Sequence, residues 1–265
     1  MSHLITDLAE IEQLAASRRT AIQRIGQIGL GAALATIPFL KPSAARAQST
    51  EGDLGILNYA LTLEYLERSF YNQAIASGNV PAEAIGLFNE IAANEAAHVE
   101  LLRDAIIDDP DMPVGDPVDY TDSDFTFDAF LGDFASIATL AQGLEDTGVR
   151  AYKGQAAAIS DPRVLTVALQ IHSVEARHAA AIRRLDASPA AKGWIPFDQP
   201  GSPAAIAPVY AGEQNTTQGG VELTGALSGY TPQAITEAFD ETLSMDQVLA
   251  IAGQFITGAE GDGND

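Results

Sequence analysis

A doubled motif constrains this chain more than any other feature. Glu95-Ala96-Ala97-His98 recurs as Glu175-Ala176-Arg177-His178, the same Glu-x-x-His spacing written twice. Each follows, at nearly the same distance, a lone glutamate inside an apolar helical pattern. These are Glu64, in Leu61-Thr62-Leu63-Glu64-Tyr65-Leu66, and Glu145, in Leu140-Ala141-Gln142-Gly143-Leu144-Glu145. One repeat distance, constant to within a single position, carries Glu64, Glu95 and His98 onto Glu145, Glu175 and His178. Leu63 likewise maps on Leu144, Tyr71 on Tyr152, Ile91 on Ile171 and Arg103 on Arg183. The sequence reads as one helical hairpin written twice, with a ligand set in each copy.

At about 100° and 1.5 Å per residue, a Glu and a His three apart on a helix lie about 60° apart in projection and roughly 4.5 Å along the axis, so both can face one ion. Four carboxylates and two imidazoles would then converge inside a four-helix bundle. Buried carboxylates without partners are costly or take up protons, and two divalent cations would balance the four glutamates. A Glu from each of two helices, with a Glu-x-x-His from each of the other two, is the ligand pattern of carboxylate-bridged di-iron and di-manganese bundles. The metal candidates are therefore Glu64, Glu95, His98, Glu145, Glu175 and His178, and the cofactor expected is two divalent ions, iron or manganese. One Glu-x-x-His alone is commonplace on amphipathic helices; the pairing at a single repeat distance gives this one its weight.

The chain has no cysteine, which excludes disulfides, thiolate metal sites and cysteine nucleophiles. Near the N-terminus, Ser17-Arg18-Arg19-Thr20-Ala21-Ile22-Gln23 resembles the twin-arginine export motif, with Ala21 and Gln23 departing from its usual residues. The apolar stretch from Ile25 to Leu40 has 16 residues, three of them glycine, short of the ~20 that a spanning helix needs. Ala45-Arg46-Ala47 then offers a small-x-small cleavage site. Residues 1–47 are accordingly expected to be a signal peptide, removed on export to the periplasm or the exterior. Without them, 9 basic side chains face 33 acidic ones. So acidic a surface repels nucleic acid and anionic lipid, and no stable membrane insertion is expected after signal removal.

Helical punctuation divides the remainder. Asp53 can cap a helix running to about Ala76, ended by Ser77-Gly78-Asn79, and Pro81 suits the first turn of a second, running to about Ile107. Phe127 to Ile159 reads as a third helix. Asp161-Pro162 supplies N-cap and first position for a fourth, to about Leu185. Between the hairpins, Asp108 to Asp124 is polar and proline-bearing. Its 17 residues reach about 56 Å, enough to cross back along a helix of about 39 Å. A crossover of that length makes the two middle helices parallel.

From about residue 53 to 186 the chain resembles the ferritin-like superfamily, whose complete six-ligand order is matched by Glu64, Glu95-x-x-His98, Glu145 and Glu175-x-x-His178. Asn58-Tyr59-Ala60-Leu61-Thr62-Leu63-Glu64-Tyr65-Leu66-Glu67, followed by Phe70-Tyr71, resembles the exported branch of that superfamily related to plant desiccation-associated proteins. Gly212-Glu213-Gln214-Asn215-Thr216-Thr217 and Phe239-Asp240-Glu241-Thr242-Leu243 are similar to that branch as well. The resemblance implies an all-α, ferritin-like four-helix bundle with a long crossover between helices 2 and 3. The expected division is a signal peptide at 1–47, the bundle at 48–188 and a C-terminal appendage at 189–265.

Behind the ligands, Tyr71 and Tyr152 each return to the face of their glutamate two turns on, where they can bond a ligand or simply fill the core. His172 is left out of the direct ligands and kept as a residue behind them or at an entry. Glu67, one turn after Glu64, is read as a solvated flank rather than an extra ligand. The appendage carries short helical patterns at Pro232 to Phe239 and Ser244 to Phe255, with Trp194, Ile195, Phe197, Val248, Ile251 and Phe255 as apolar anchors. It is expected to serve as a cover or a homo-oligomer contact, and the Gly-rich end from Gly258 is expected to be disordered. Three functions fit this reading: a centre reacting with peroxide or dioxygen in oxidative or desiccation stress; iron binding or sequestration; and a structural stress protein whose helices the metal staples.

Overall fold

The computed structural model describes residues 52–107, 115–185, 192–197 and 202–257. The expected signal peptide and the Gly-rich end lie outside the described residues. Four long helices form a bundle: α1 (Gly52–Ala76), α2 (Ala82–Ile107), α3 (Phe134–Gln155) and α4 (Pro162–Arg183). α1 packs on α2 and α3 on α4, and the hairpins join through α1 with α3 and α2 with α4. Tyr71 of α1 meets Glu145 of α3, and Tyr152 meets Glu64, so these two helices are antiparallel. Since α1 is also antiparallel to α2, the crossover leaves α2 and α3 parallel, as its length requires.

The caps explain the boundaries; two starts differ from expectation, and α3 ends at Gln155 rather than at Ile159. α1 ends where Gly78 turns left-handed at φ +73°, a conformation in which a Cβ is strained. Asp53 does not cap its own helix, which begins at Gly52. Its carboxylate instead accepts the backbone N–H groups of Ser160 at 2.8 Å and Asp161 at 2.7 Å, tying the start of α1 to the α3–α4 turn. The third helix starts at Phe134, not Phe127, because Asp133 is its N-cap and accepts from the Ser136 N–H at 2.9 Å. Phe127 is a core anchor of the crossover, its ring 5.3 Å from that of Phe70 and 5.4 Å from that of Phe255. α4 begins as expected, with Asp161 as N-cap and Pro162 in the first turn.

Burial separates the helices into two kinds. α2 buries one stripe, Phe88, Ile91, Glu95, His98, Leu102 and Ile106, the narrow face of an amphipathic helix. α1 is buried almost all round, because the crossover runs along its outer side. Asn58 Oδ1 accepts from Val118 N at 2.7 Å, and Gln73 donates to the carbonyls of Asp122 at 3.0 Å and Phe125 at 3.1 Å. α3 is covered likewise from Leu140 to Tyr152, here by the C-terminal segment.

That segment holds a short hairpin, β1 (Thr217–Gln218) with β2 (Val221–Glu222), and three short helices, α5 (Leu223–Ala226), α6 (Pro232–Thr236) and α7 (Met245–Ala252). A capping box of Ser244 and Gln247 starts α7. Val248, Ile251, Phe255 and Ile195 are buried as anchors; Trp194 is 46 % exposed, its indole donating to Glu237 at 3.0 Å, and Phe197 is half-buried. Arg150, fully buried in α3, pairs with Glu213 at 3.1 Å and donates to the carbonyls of Glu241 at 2.9 Å, Val209 and Ala211. The end of the segment reaches the crossover, where Thr126 N donates to Phe255 O at 2.8 Å and Thr257 N to Asp124 O at 2.8 Å. Bundle and tail thus form one compact unit. Among the described residues no helix is long and apolar enough to cross a membrane.

Candidate metal centre

The six repeated residues meet at mid-height of the bundle. The carboxylates of Glu64, Glu95, Glu145 and Glu175 are wholly buried, and His98 and His178 are 9 % and 5 % exposed. Their donor atoms fall into two overlapping sets, each within 4.8 Å: Glu64, Glu95, His98 and Glu175, and Glu95, Glu145, Glu175 and His178. Glu95 and Glu175 belong to both. The geometry therefore offers two adjacent ion positions with two shared carboxylates between them, and one private Glu and one His at each end.

His98 Nδ1 lies 3.1 Å from Glu64, 3.0 Å from Glu95 and 3.3 Å from Glu175. His178 Nδ1 lies 2.9 Å from Glu95 and 3.3 Å from Glu145. Glu95 Oε1, Glu145 Oε2, both oxygens of Glu175 and His178 Nδ1 nevertheless have no aligned hydrogen bond. Buried oxygens that converge without donors are what a divalent cation satisfies. One imidazole with several carboxylates at each position suits iron or manganese by ligand hardness. The donor set thus fits the ions expected from the sequence.

Metal-free electrostatics point the same way. Burial and neighbouring Glu95 hold Glu175 well above the ordinary carboxyl range, and burial pushes Glu95 up to about 7. For Glu64 burial also acts upward, but hydrogen bonds and charge from His98, with Tyr152, outweigh it and the group titrates low. Burial works against charge on the histidines, yet contacts with Glu64 and Glu95 push His98 up to about 11, and those with Glu145, Glu175 and Glu95 push His178 up to about 12. Without metal, the imidazolium ions are the cations that the carboxylates gather around.

The tyrosines bond ligands across the bundle. Tyr71 donates to Glu145, and Tyr152 donates to Glu64 at 2.5 Å. Burial and those carboxylates raise both phenols well above their ordinary value, so they remain donors. The Nδ1 of His172 meets the Val149 carbonyl at 3.0 Å, and as expected the residue belongs to neither set of direct donors. Helical projection places it about 60° from Glu175, but the ring turns toward α3. Glu67 is not a solvated flank, since only 3 % of it is exposed; the outer side of α1 is covered, and solvent does not reach it. Asn94, missed in the sequence, meets His178 Nε2 at 3.1 Å. If Nδ1 binds an ion, Nε2 carries the proton, and the Asn94 carbonyl is its acceptor once the amide is turned.

The family model of the ferritin-like domain matches residues 52–187. Neither the curated proteins nor the solved structures contain a match to the chain.

Proposed function

The chain belongs to the ferritin-like domain family, and from that premise we propose that it is an exported protein holding two iron or manganese ions and turning over peroxide or dioxygen in oxidative or desiccation stress. The observation that carries this reading is the sharing of Glu95 and Glu175 by two donor sets. When bound, two such ions side by side supply paired one-electron centres, the chemistry that making or breaking an O–O bond requires.

The chain's own residues do the rest. Glu95 and Glu175 would fix the separation of the ions, and Tyr152 and Tyr71 hold the private carboxylates Glu64 and Glu145 in orientation. Tail residues Ile251 and Ala252 cover the side of the site between α1 and α3, leaving room there for one water at most. The slight exposure of His98 and His178 leaves the α2–α4 side as the approach for a small oxidant. Export rests on the twin-arginine motif and cleavage site of the sequence.

The test is oxygen evolution or donor oxidation by iron-loaded and manganese-loaded protein, with Glu145→Ala as control. Turnover well above the control supports the proposal. If neither form exceeds it while both bind two ions, sequestration of iron or a metal-stapled structural role takes its place.

A further inference from the structure

One of the places where the internal repeat breaks lies one turn beyond a ligand. The offset that carries Glu64 onto Glu145 and Tyr71 onto Tyr152 carries Glu67 onto Gly148. These two residues face each other across the α1–α3 contact. A Cβ on Gly148 would lie 3.1 Å from Glu67 Oε1 and 3.4 Å from Glu175 Oε2, so the glycine leaves the space that the Glu67 side chain fills. Glu67 is buried, and its Oε2 has no hydrogen-bond partner. The cavity beside it, about 10 Å³ in volume and closed by Ile251 and Ala252, is at the lower limit for one water. At most one water can therefore reach this carboxylate.

Its direction follows from Glu175. The Oε1 of Glu175 faces His98 at 3.3 Å, whereas its Oε2 is on the His178 side, at 3.8 Å. It is Oε2 that shares the Gly148 surface with Glu67, and Glu145 lies one turn before Gly148 on α3. We propose that Glu67, which lies outside both donor sets of the metal-free fold, is a seventh ligand, directed to the ion that Glu145 and His178 hold. This rests on the dinuclear reading above and adds to it that the two ion positions are unequal. With five carboxylates in the set, one divalent and one trivalent ion give formal neutrality, where four carboxylates would be neutral with two divalent ions.

The test is calorimetric titration of the metal-free full chain with manganese(II), together with the visible spectrum of the cobalt(II) form, whose d–d intensity reports coordination number. Glu67→Gln keeps the shape and removes the charge; it should weaken one of the two ions at least about tenfold and intensify the cobalt bands. Gly148→Ala, which displaces the carboxylate without removing it, should weaken the same ion. Glu67→Gln should add nothing in a Glu145→Ala background and weaken the remaining ion in a Glu64→Ala background. If wild type binds two ions and both single variants bind them with unchanged affinity and spectrum, Glu67 is a buried neutral acid filling the space at Gly148 and the proposal is overturned alone. If wild type binds fewer than two, the dinuclear reading falls and takes it along.

Discussion

Beyond its private glutamate, by little more than one helical turn, each hairpin fastens a different strap. In the first hairpin the anchor is Ser69, whose hydroxyl donates to the Asp122 carbonyl of the crossover at 3.2 Å. At the matching place in the second it is Arg150, which holds Glu213 and several carbonyls of the tail. The repeated arginines diverge in the same way: Arg103 bonds Tyr65 and Asp119, while Arg183 pairs with buried Asp146. The two halves agree where an ion would demand a donor at a fixed place, and differ where any hydrogen bond that closes the outer side of α1 or α3 suffices.

Removing each strap's anchor should expose that difference. Arg150→Ala leaves Glu213 buried without its partner and should cost roughly 3–5 kcal/mol in denaturant unfolding. A loss under about 1 kcal/mol would mean that the tail is not anchored through Arg150. At the ligands, by contrast, the halves should respond alike. His98 and His178 are protonated in the metal-free fold, with pKa values pushed up to about 11 and 12. The stability they lend is complete below the ordinary imidazole value and lost as pH rises through those raised values. Binding of ions requires neutral imidazole, so loading both positions near neutral pH should release at least two protons. The combined affinity should then rise at least about a hundredfold per pH unit, roughly 2.7 kcal/mol or more, measurable by calorimetry in buffers of different ionisation enthalpy. Release from only one half would break the symmetry of the ligands.

Tyr71→Phe and Tyr152→Phe should each weaken one ion by about 10–100-fold, and by similar factors, since the two phenols hold matching carboxylates. Ser69→Ala should have the smallest effect, about 1 kcal/mol of stability. A cost for Ser69→Ala equal to that of Arg150→Ala would erase the contrast between the straps.

The same contrast explains what could be read in the sequence. The six donors were legible because a Glu three before a His, found twice, is constrained by chemistry as well as by packing. Helix ends marked by Gly78 and by Asp161-Pro162 were legible from local backbone preferences. The start of α3 was not: Phe127 looks like helix core, and only the fold shows it packed against Phe70 and Phe255, with Asp133 as the cap. Arg150 gave no local sign of its partners, which lie 59 to 92 residues away. Burial of Glu67 depends on the crossover, the tail and a glycine in the other half of the repeat. The offset that aligned the ligands also pairs Glu67 with Gly148, and that was the signal available in the sequence.

The central claim is that two donor sets share Glu95 and Glu175, and it is tested most directly by titrating the metal-free full chain with manganese(II) in three forms. Wild type should bind two ions, Glu64→Ala should lose one and keep the other, and Glu95→Ala should weaken both. Binding of one ion or none by wild type, or losses in Glu95→Ala no different from those in Glu64→Ala, would contradict the shared-carboxylate centre.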